Sequence, residues 1–155
     1  RLFDRISDLL GDLADPPIVV VASGNQSNRP EYSIACGPPA NGDEFVSVAA
    51  IDIHDIVAPD SCANPKIAAP GIDIWSAGLN GGSSLVAKSG SSMAAPHVAG
   101  IAAVLHGLAR ASGQSTSPED IVDEILRNVD PLVGGAKEDV GRGCAMVRHR
   151  NPTIA

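Results

Sequence analysis

Aromatic residues make up only 3% of this 155-residue chain, which excludes a core built on large rings. Sixteen Gly and twelve Pro point instead to tight turns, close backbone approach and aliphatic packing. Basic residues are scarce: eleven Lys and Arg against eighteen Asp and Glu give a net charge of −7. A nucleic-acid backbone needs a cationic face that releases counterions, so nucleic acid is not expected as a partner, and neither is polybasic docking to a membrane. The longest strictly apolar run, Ile18-Val19-Val20-Val21-Ala22, has five residues, against about 20 for a membrane-crossing helix, so no span is predicted. The three cysteines, Cys36, Cys62 and Cys144, are odd in number and lack C-x-x-C spacing. They imply neither a zinc site nor a closed disulfide framework; one bridge plus a free thiol fits, and so do three buried thiols.

What is present describes a folded chain. With 44% hydrophobic and 19% charged residues, and a length within the range of one domain, a fold of this size buries about 70% of its unfolded surface. Residues 1–155 are read as one domain or a large piece of one. Leu2, Phe3, Ile6, Leu9, Leu10 and Leu13 recur at helical spacings directly after Arg1, from which we expect further polypeptide upstream. Pro16 and Pro17 stop that helix, and the β-branched run 18–22 suits a strand buried on both faces, as in a parallel sheet. Residues 26–44, rich in Asn, Pro and Gly, form a long loop of the kind that tends to carry function. Strands are predicted at 45–50, 66–69 and 72–75, followed by a Gly- and Ser-rich segment from 78 to 92.

From Ser92 to about Arg110 the composition turns to Ala, Val, Ile and Leu, a helix apolar around much of its circumference that belongs in the core. Ser117-Pro118-Glu119-Asp120 precedes Ile121, Val122, Ile125 and Leu126, a capping hydroxyl and first-turn Pro that predict a surface helix. Asp120, Asp123 and Glu124 read as its solvated face. Buried strands between helices favour an α/β layered domain. No internal repeat is visible.

The most informative segment is Ser89-Gly90-Ser91-Ser92-Met93-Ala94-Ala95-Pro96-His97-Val98-Ala99-Gly100. On composition alone Ser91 or Ser92 is an ordinary helix cap. The first turn of a buried helix is also where a nucleophilic hydroxyl stays exposed beside unpaired N–H groups and the positive end of the dipole. The string closely resembles the serine signature of subtilisin-like serine proteases, G-T-S-M-A-[AS]-P-H-V-A-G, with Ser91 where Thr is usual and Ser92 as nucleophile by position.

Val19-Val20-Val21-Ala22-Ser23-Gly24-Asn25 is similar to that family's strand ending in A-A-G-N, whose Asn donates to the oxyanion. The resemblance therefore implies that role for Asn25, otherwise an ordinary turn residue, and places Ser23 and Gly24 in the wall of the specificity pocket. Pro38-Pro39-Ala40 with the strand at 45–50 resembles the pocket's base, Ala69-Pro70-Gly71 the A-P-G connection, and Gly141-Arg142-Gly143 the late G-x-G. Residues 52–65 depart from the family pattern, carrying His54, Asp55 and Cys62.

The resemblance implies a largely parallel sheet between helices, the incomplete three-layer α/β fold of the C-terminal part of a subtilisin-like domain. It implies a polypeptide substrate, no required cofactor, structural calcium with no ligand set located in this stretch, and a secreted or extracellular setting. His97 follows Ser92 by five residues, about 140° net rotation and about 7.5 Å of rise, and His106 lies about 21 Å along the same helix. Neither reaches the roughly 3 Å needed to accept the Ser92 proton. His54 and His149 lie outside that helix, but neither sits in an H-G-T-H-type setting. No D-[TS]-G or H-G-T-H sequence occurs, so the triad Asp and His are expected upstream of Arg1, in the N-terminal half of the same domain. A serine without a positioned base is a weak nucleophile, and this chain alone is expected to be inactive.

Three other readings stay open at this level. Gly90-x-Ser92-x-Ala94 approximates the nucleophile elbow of α/β-hydrolases, an esterase-type site in which Asp130 or Asp139 and His149 would serve. A non-catalytic, protease-like binding domain is another. Asp52, His54 and Asp55 could supply a metal site, yet two of the three would face the same side of an extended segment, and a solvated strand end explains them as well. No dinucleotide or phosphate-loop pattern occurs.

Overall fold

The computed structural model describes residues 2–14, 16–27, 35–79, 84–132 and 140–147. Its centre is β2 (Phe45–Ile51), seven consecutive buried residues flanked by β1 (Val19–Ala22) and β3 (Ile67–Pro70) in parallel register. Two short strands, β6 (Val129–Asp130) and β7 (Cys144–Ala145), extend the sheet to the order β1-β2-β3-β7-β6, with β6 antiparallel to β7. β4 (Ile74–Ala77) and β5 (Leu85–Lys88) form a separate antiparallel ribbon. The helices are α1 (Leu2–Gly11), α2 (Ser91–Ala111) and α3 (Pro118–Arg127).

Alternation along β2 sorts the core into two layers. Val46, Val48 and Ala50, with Ile67 and Ala69 of β3, meet Ala94, Val98 and Ala102 of α2 and Ile121 and Ile125 of α3. Ala49, Ile51 and Ala68 point to the other face, closed by Val140, Cys144, Val57 and Leu132. This is the mostly parallel sheet flanked by helices that the sequence predicts. α3 begins as expected: Ser117 Oγ accepts from the Asp120 backbone N–H, and the Asp120 carboxylate accepts from Ser117 N–H and Oγ–H, a complete capping box.

Several expectations need correction. Within this chain β1 is half-buried and has one strand neighbour, β2, which is itself buried along its whole length. α2 buries one face alone, with Val104 and Leu108 exposed at 48% and 58%. It is long and apolar enough to cross a membrane by composition, but its Ala94, Val98 and Ala102 face is packed on the sheet.

The strand expected at 72–75 starts two residues later, since Asp73 adopts a left-handed conformation at φ 53°. Its partner β5 lies in the segment read only as Gly- and Ser-rich. Cys36, Cys62 and Cys144 are buried free thiols, so of the two cysteine readings it is the all-thiol one. Asp139 and His149 lie outside the described residues.

Candidate active site

Three hydrogen bonds, two of them backbone to backbone, bring the start of α2 to the carboxyl ends of the parallel strands. Gly71, directly after β3, donates its N–H to Ile51 O at 2.9 Å and accepts the Gly90 N–H at 2.7 Å. The approach is so close that a Cβ on Gly71 would sit 2.6 Å from Ala50 Cβ and 2.9 Å from Gly90 O. The Asp73 N–H donates to Ser89 Oγ at 3.0 Å. The A-P-G connection thus clamps the two residues immediately before the helix, and Gly90, at φ 139° and ψ 165°, turns the chain into α2, a conformation essentially reserved for glycine.

Across this turn lies the end of β1. Asn25 Oδ1 accepts from the Ser91 backbone N–H and from the Ser91 hydroxyl, both at 2.9 Å, while Ser91 Oγ accepts the Gly24 N–H at 3.1 Å. A backbone N–H can only donate, so the atom facing Ser91 must be the carboxamide oxygen. The Asn25 NH₂ is therefore turned away from Ser91; its nitrogen lies 3.0 Å from where a Cβ on Gly90 would be. Ser91 is fully buried and Ser92, one residue on, is exposed.

The first turn of a helix leaves its N–H groups without intrahelical partners. Here Ser91 N–H is taken by Asn25 and Met93 N–H by Gly90 O at 2.9 Å. Among the described residues the Ser92 N–H has no partner. An exposed hydroxyl, a free backbone N–H and an oriented carboxamide thus sit on neighbouring residues at the positive end of a 21-residue helix.

Ser23 is buried, its hydroxyl 3.2 Å from Ser61 Oγ, and Ser61 Oγ accepts the Ala50 N–H at 3.2 Å. Any surface that residues 23 and 24 present is therefore backbone. The sequence reading missed the support beneath them. Residues 60–62 fold under the end of β1 through Ser27 N–H to Asp60 O at 3.1 Å and Cys62 N–H to Gly24 O at 3.0 Å. Burial, then the neighbouring Cys62 thiol, push the Cys36 thiol up to about 11, against a smaller lowering by a backbone N–H; Cys36, Cys62 and Ala40 form a small apolar cluster with Val21.

Three of the four histidines lie among the described residues. His97 Nδ1 lies 3.0 Å from Met93 O on its own helix, and His54 and His106 are exposed. Asp52 Oδ1 accepts the Ile56 and His54 N–H groups at 2.9 and 2.8 Å, which closes a loop; the Ile56 N–H foremost, against an upward pull from desolvation and with help from the His54 N–H, holds the carboxyl below its usual range. That loop closure accounts for Asp52 without a metal. A cleft of about 990 Å³ lined by Lys66, Leu126, Arg127 and Arg142 opens at the amino end of β3, away from Ser92.

Comparison with known proteins identifies the family. The model of the subtilase family matches residues 5–143, and the chain belongs to that family. It is 39% identical over 110 residues to subtilisin-like protease 1 of Pseudogymnoascus destructans, covering 69% of this chain and 25% of that protein. It is 33% identical over 135 residues to an intracellular serine protease of Paenibacillus polymyxa, covering 84% and 40%. An extracellular basic protease of Dichelobacter nodosus is 32% identical over 151 residues, covering 92% and 23%.

The prenylagaramide maturation protease PagA superposes with a TM-score of 0.73 at 26% identity, over 83% of this chain and 47% of that one. The chain thus spans less than half the length of each of these relatives. Both extracellular and intracellular proteases are among them, so the likeness is shared across compartments. The ribbon strand β5, which precedes α2, lies outside the main sheet, whereas a nucleophile elbow follows a strand of the central sheet; this argues against the α/β-hydrolase reading.

Proposed function

We propose that this chain is the nucleophile-bearing part of a subtilisin-like serine endopeptidase. Ser92 Oγ attacks the carbonyl carbon of a peptide bond, and the developing oxyanion is held by Asn25 Nδ2 and the Ser92 backbone N–H. The observation that supports this reading is the Asn25 carboxamide, whose oxygen is anchored on Ser91, the residue before the exposed Ser92, which leaves its NH₂ as the group to act as donor. A preorganised dipole of this kind needs little reorganisation as charge develops.

The proton acceptor and its orienting carboxylate come from polypeptide N-terminal to Arg1, so the chain by itself is inactive. The His takes the Ser92 proton and returns it to the leaving amine, and the Asp holds the His. The backbone at Ser23 and Gly24 lines the recess for the substrate side chain, and the chemistry uses no cofactor.

The test is fluorophosphonate labelling of the full-length protein, with the adduct mapped by mass spectrometry. We expect modification at Ser92, lost in Ser92→Ala, and a fall of about 10²–10³ in peptide turnover in Asn25→Ala. Labelling confined to another residue, or none at all in folded full-length protein, would remove the proposal in favour of a non-catalytic binding domain.

A further inference from the structure

Ser91 fixes the Asn25 side chain, but the backbone that carries it is fixed from the opposite side. Gln26 Oε1 accepts the Asn25 N–H at 3.1 Å, and the Cys62 thiol donates to the same oxygen at 3.6 Å. The Cys62 N–H donates to Gly24 O at 3.0 Å. A Cβ built on Gly24 would meet Cys62 Sγ at 2.8 Å and Gln26 Oε1 at 2.9 Å. The sulfur of Cys62, a residue only 3% exposed, therefore fills the notch that Gly24 leaves open and also touches the carboxamide holding the next N–H along the chain.

We infer that Cys62 is a positioning residue that sets the Asn25 carboxamide, through Gly24 and Gln26, for its oxyanion role; this rests on the proposed function above. Gly24 has a φ of 113°, where glycine is the permissive residue, and its own conformational freedom is broad. Without a wall against its Cα the turn at 23–26 gains freedom. A donor whose effect is realised only in the transition state loses rate when it is misplaced by a fraction of an ångström. The thiol is a weak donor, so its bulk against Gly24 carries more of the effect than the S–H···O contact.

Peptide turnover by the full-length protein and its variants tests this. We expect Cys62→Ala to lower kcat about 5- to 20-fold with KM changed less than twofold, a fraction of what loss of the whole donor costs. Cys62→Ser, which keeps a donor toward Gln26, should recover part of that loss. Gln26 is exposed, so Gln26→Met, which removes the shared acceptor without threatening the fold, should move kcat in the same direction.

The deciding measurement is the double-mutant cycle: in an Asn25→Ala background, neither Cys62→Ala nor Gln26→Met should lower kcat further. Independent, multiplying losses would overturn the positioning role, and so would a KM effect with kcat unchanged. If Asn25→Ala alone left kcat intact, the oxyanion assignment itself would fall. If Asn25→Ala lowers kcat and the cycle is multiplicative, only the role of Cys62 falls.

Discussion

Asn25 Oδ1 and the Ser91 backbone N–H are 2.9 Å apart, although 66 positions separate the two residues in sequence. Together with the Ser91 hydroxyl, that contact ties the end of an edge strand to the first turn of the long helix. It also divides the labour between two adjacent serines. Ser91 is enclosed and committed to Asn25 and Gly24, while Ser92 is exposed.

Substitution should therefore separate them by stability. Ser91→Ala leaves the Gly24 N–H without its acceptor and Asn25 with one donor fewer, and is expected to cost about 1–3 kcal/mol in denaturant unfolding. Ser92→Ala, at an exposed position, should stay within about 0.5 kcal/mol of the parent while abolishing fluorophosphonate labelling. Reversed values would show that Ser92 is the structural member of the pair.

A methyl group at Gly90 tests the turn between strand and helix. Its φ of 139° is costly for any L side chain, and the added carbon would lie 3.0 Å from Asn25 Nδ2. We expect Gly90→Ala to destabilise by about 1–3 kcal/mol and to suppress labelling at Ser92. Gly100 on the same helix has nothing within 4 Å of an added Cβ, so Gly100→Ala should stabilise by up to about 1 kcal/mol through helix propensity. Opposite signs for one chemical change on one helix, read by thermal or denaturant unfolding, are the expected result.

These residues show which parts of the molecule were legible beforehand. The capping box at Ser117 was readable because all its atoms lie within four residues of one another. The start of α2 was readable because its serine string matches a long family motif. The β-branched run of β1 states what a strand tolerates, while its neighbours in the sheet decide what covers it; within this chain β2 is that neighbour. β5 was invisible because it is short, exposed along its whole length and set in a Gly- and Ser-rich stretch. The support by Ser61 and Cys62 had no local signal, since it exists only when residues 60–62 return beneath residues 23–27.

At alkaline pH the Cys36 thiol should report on its surroundings. Its folded-state value is raised to about 11, above the roughly 8.5 of an unfolded cysteine. Folding therefore favours the neutral thiol. Its contribution is fully present below about pH 8.5 and is lost as pH climbs toward about 11. Urea midpoints at pH 8, 9.5 and 10.5 should fall less steeply in Cys36→Ala than in the parent. The slope that remains includes Cys144, raised by burial and then by the Asp55 charge. Equal slopes in the two proteins would contradict the assignment to Cys36.

At acid pH the corresponding group is Asp120. Hydrogen bonds from the Ser117 backbone N–H and then its hydroxyl hold the carboxyl below its usual range, against a smaller upward pull from desolvation. Because the folded value is depressed, the unfolded chain binds the proton more readily. The contribution is complete above about pH 4 and disappears as pH falls through the lowered folded value. Asp120→Asn should flatten the stability curve below about pH 4, relative to the parent. Ser117→Ala removes the other half of the box and should cost about 1 kcal/mol at neutral pH. That loss should register globally, because Ile121 and Ile125 of the capped helix are packed in the main core. Unfolding followed by far-ultraviolet circular dichroism across this range checks both. An unchanged acid limb in Asp120→Asn would mean that the cap, though formed, does not govern how α3 holds to the sheet.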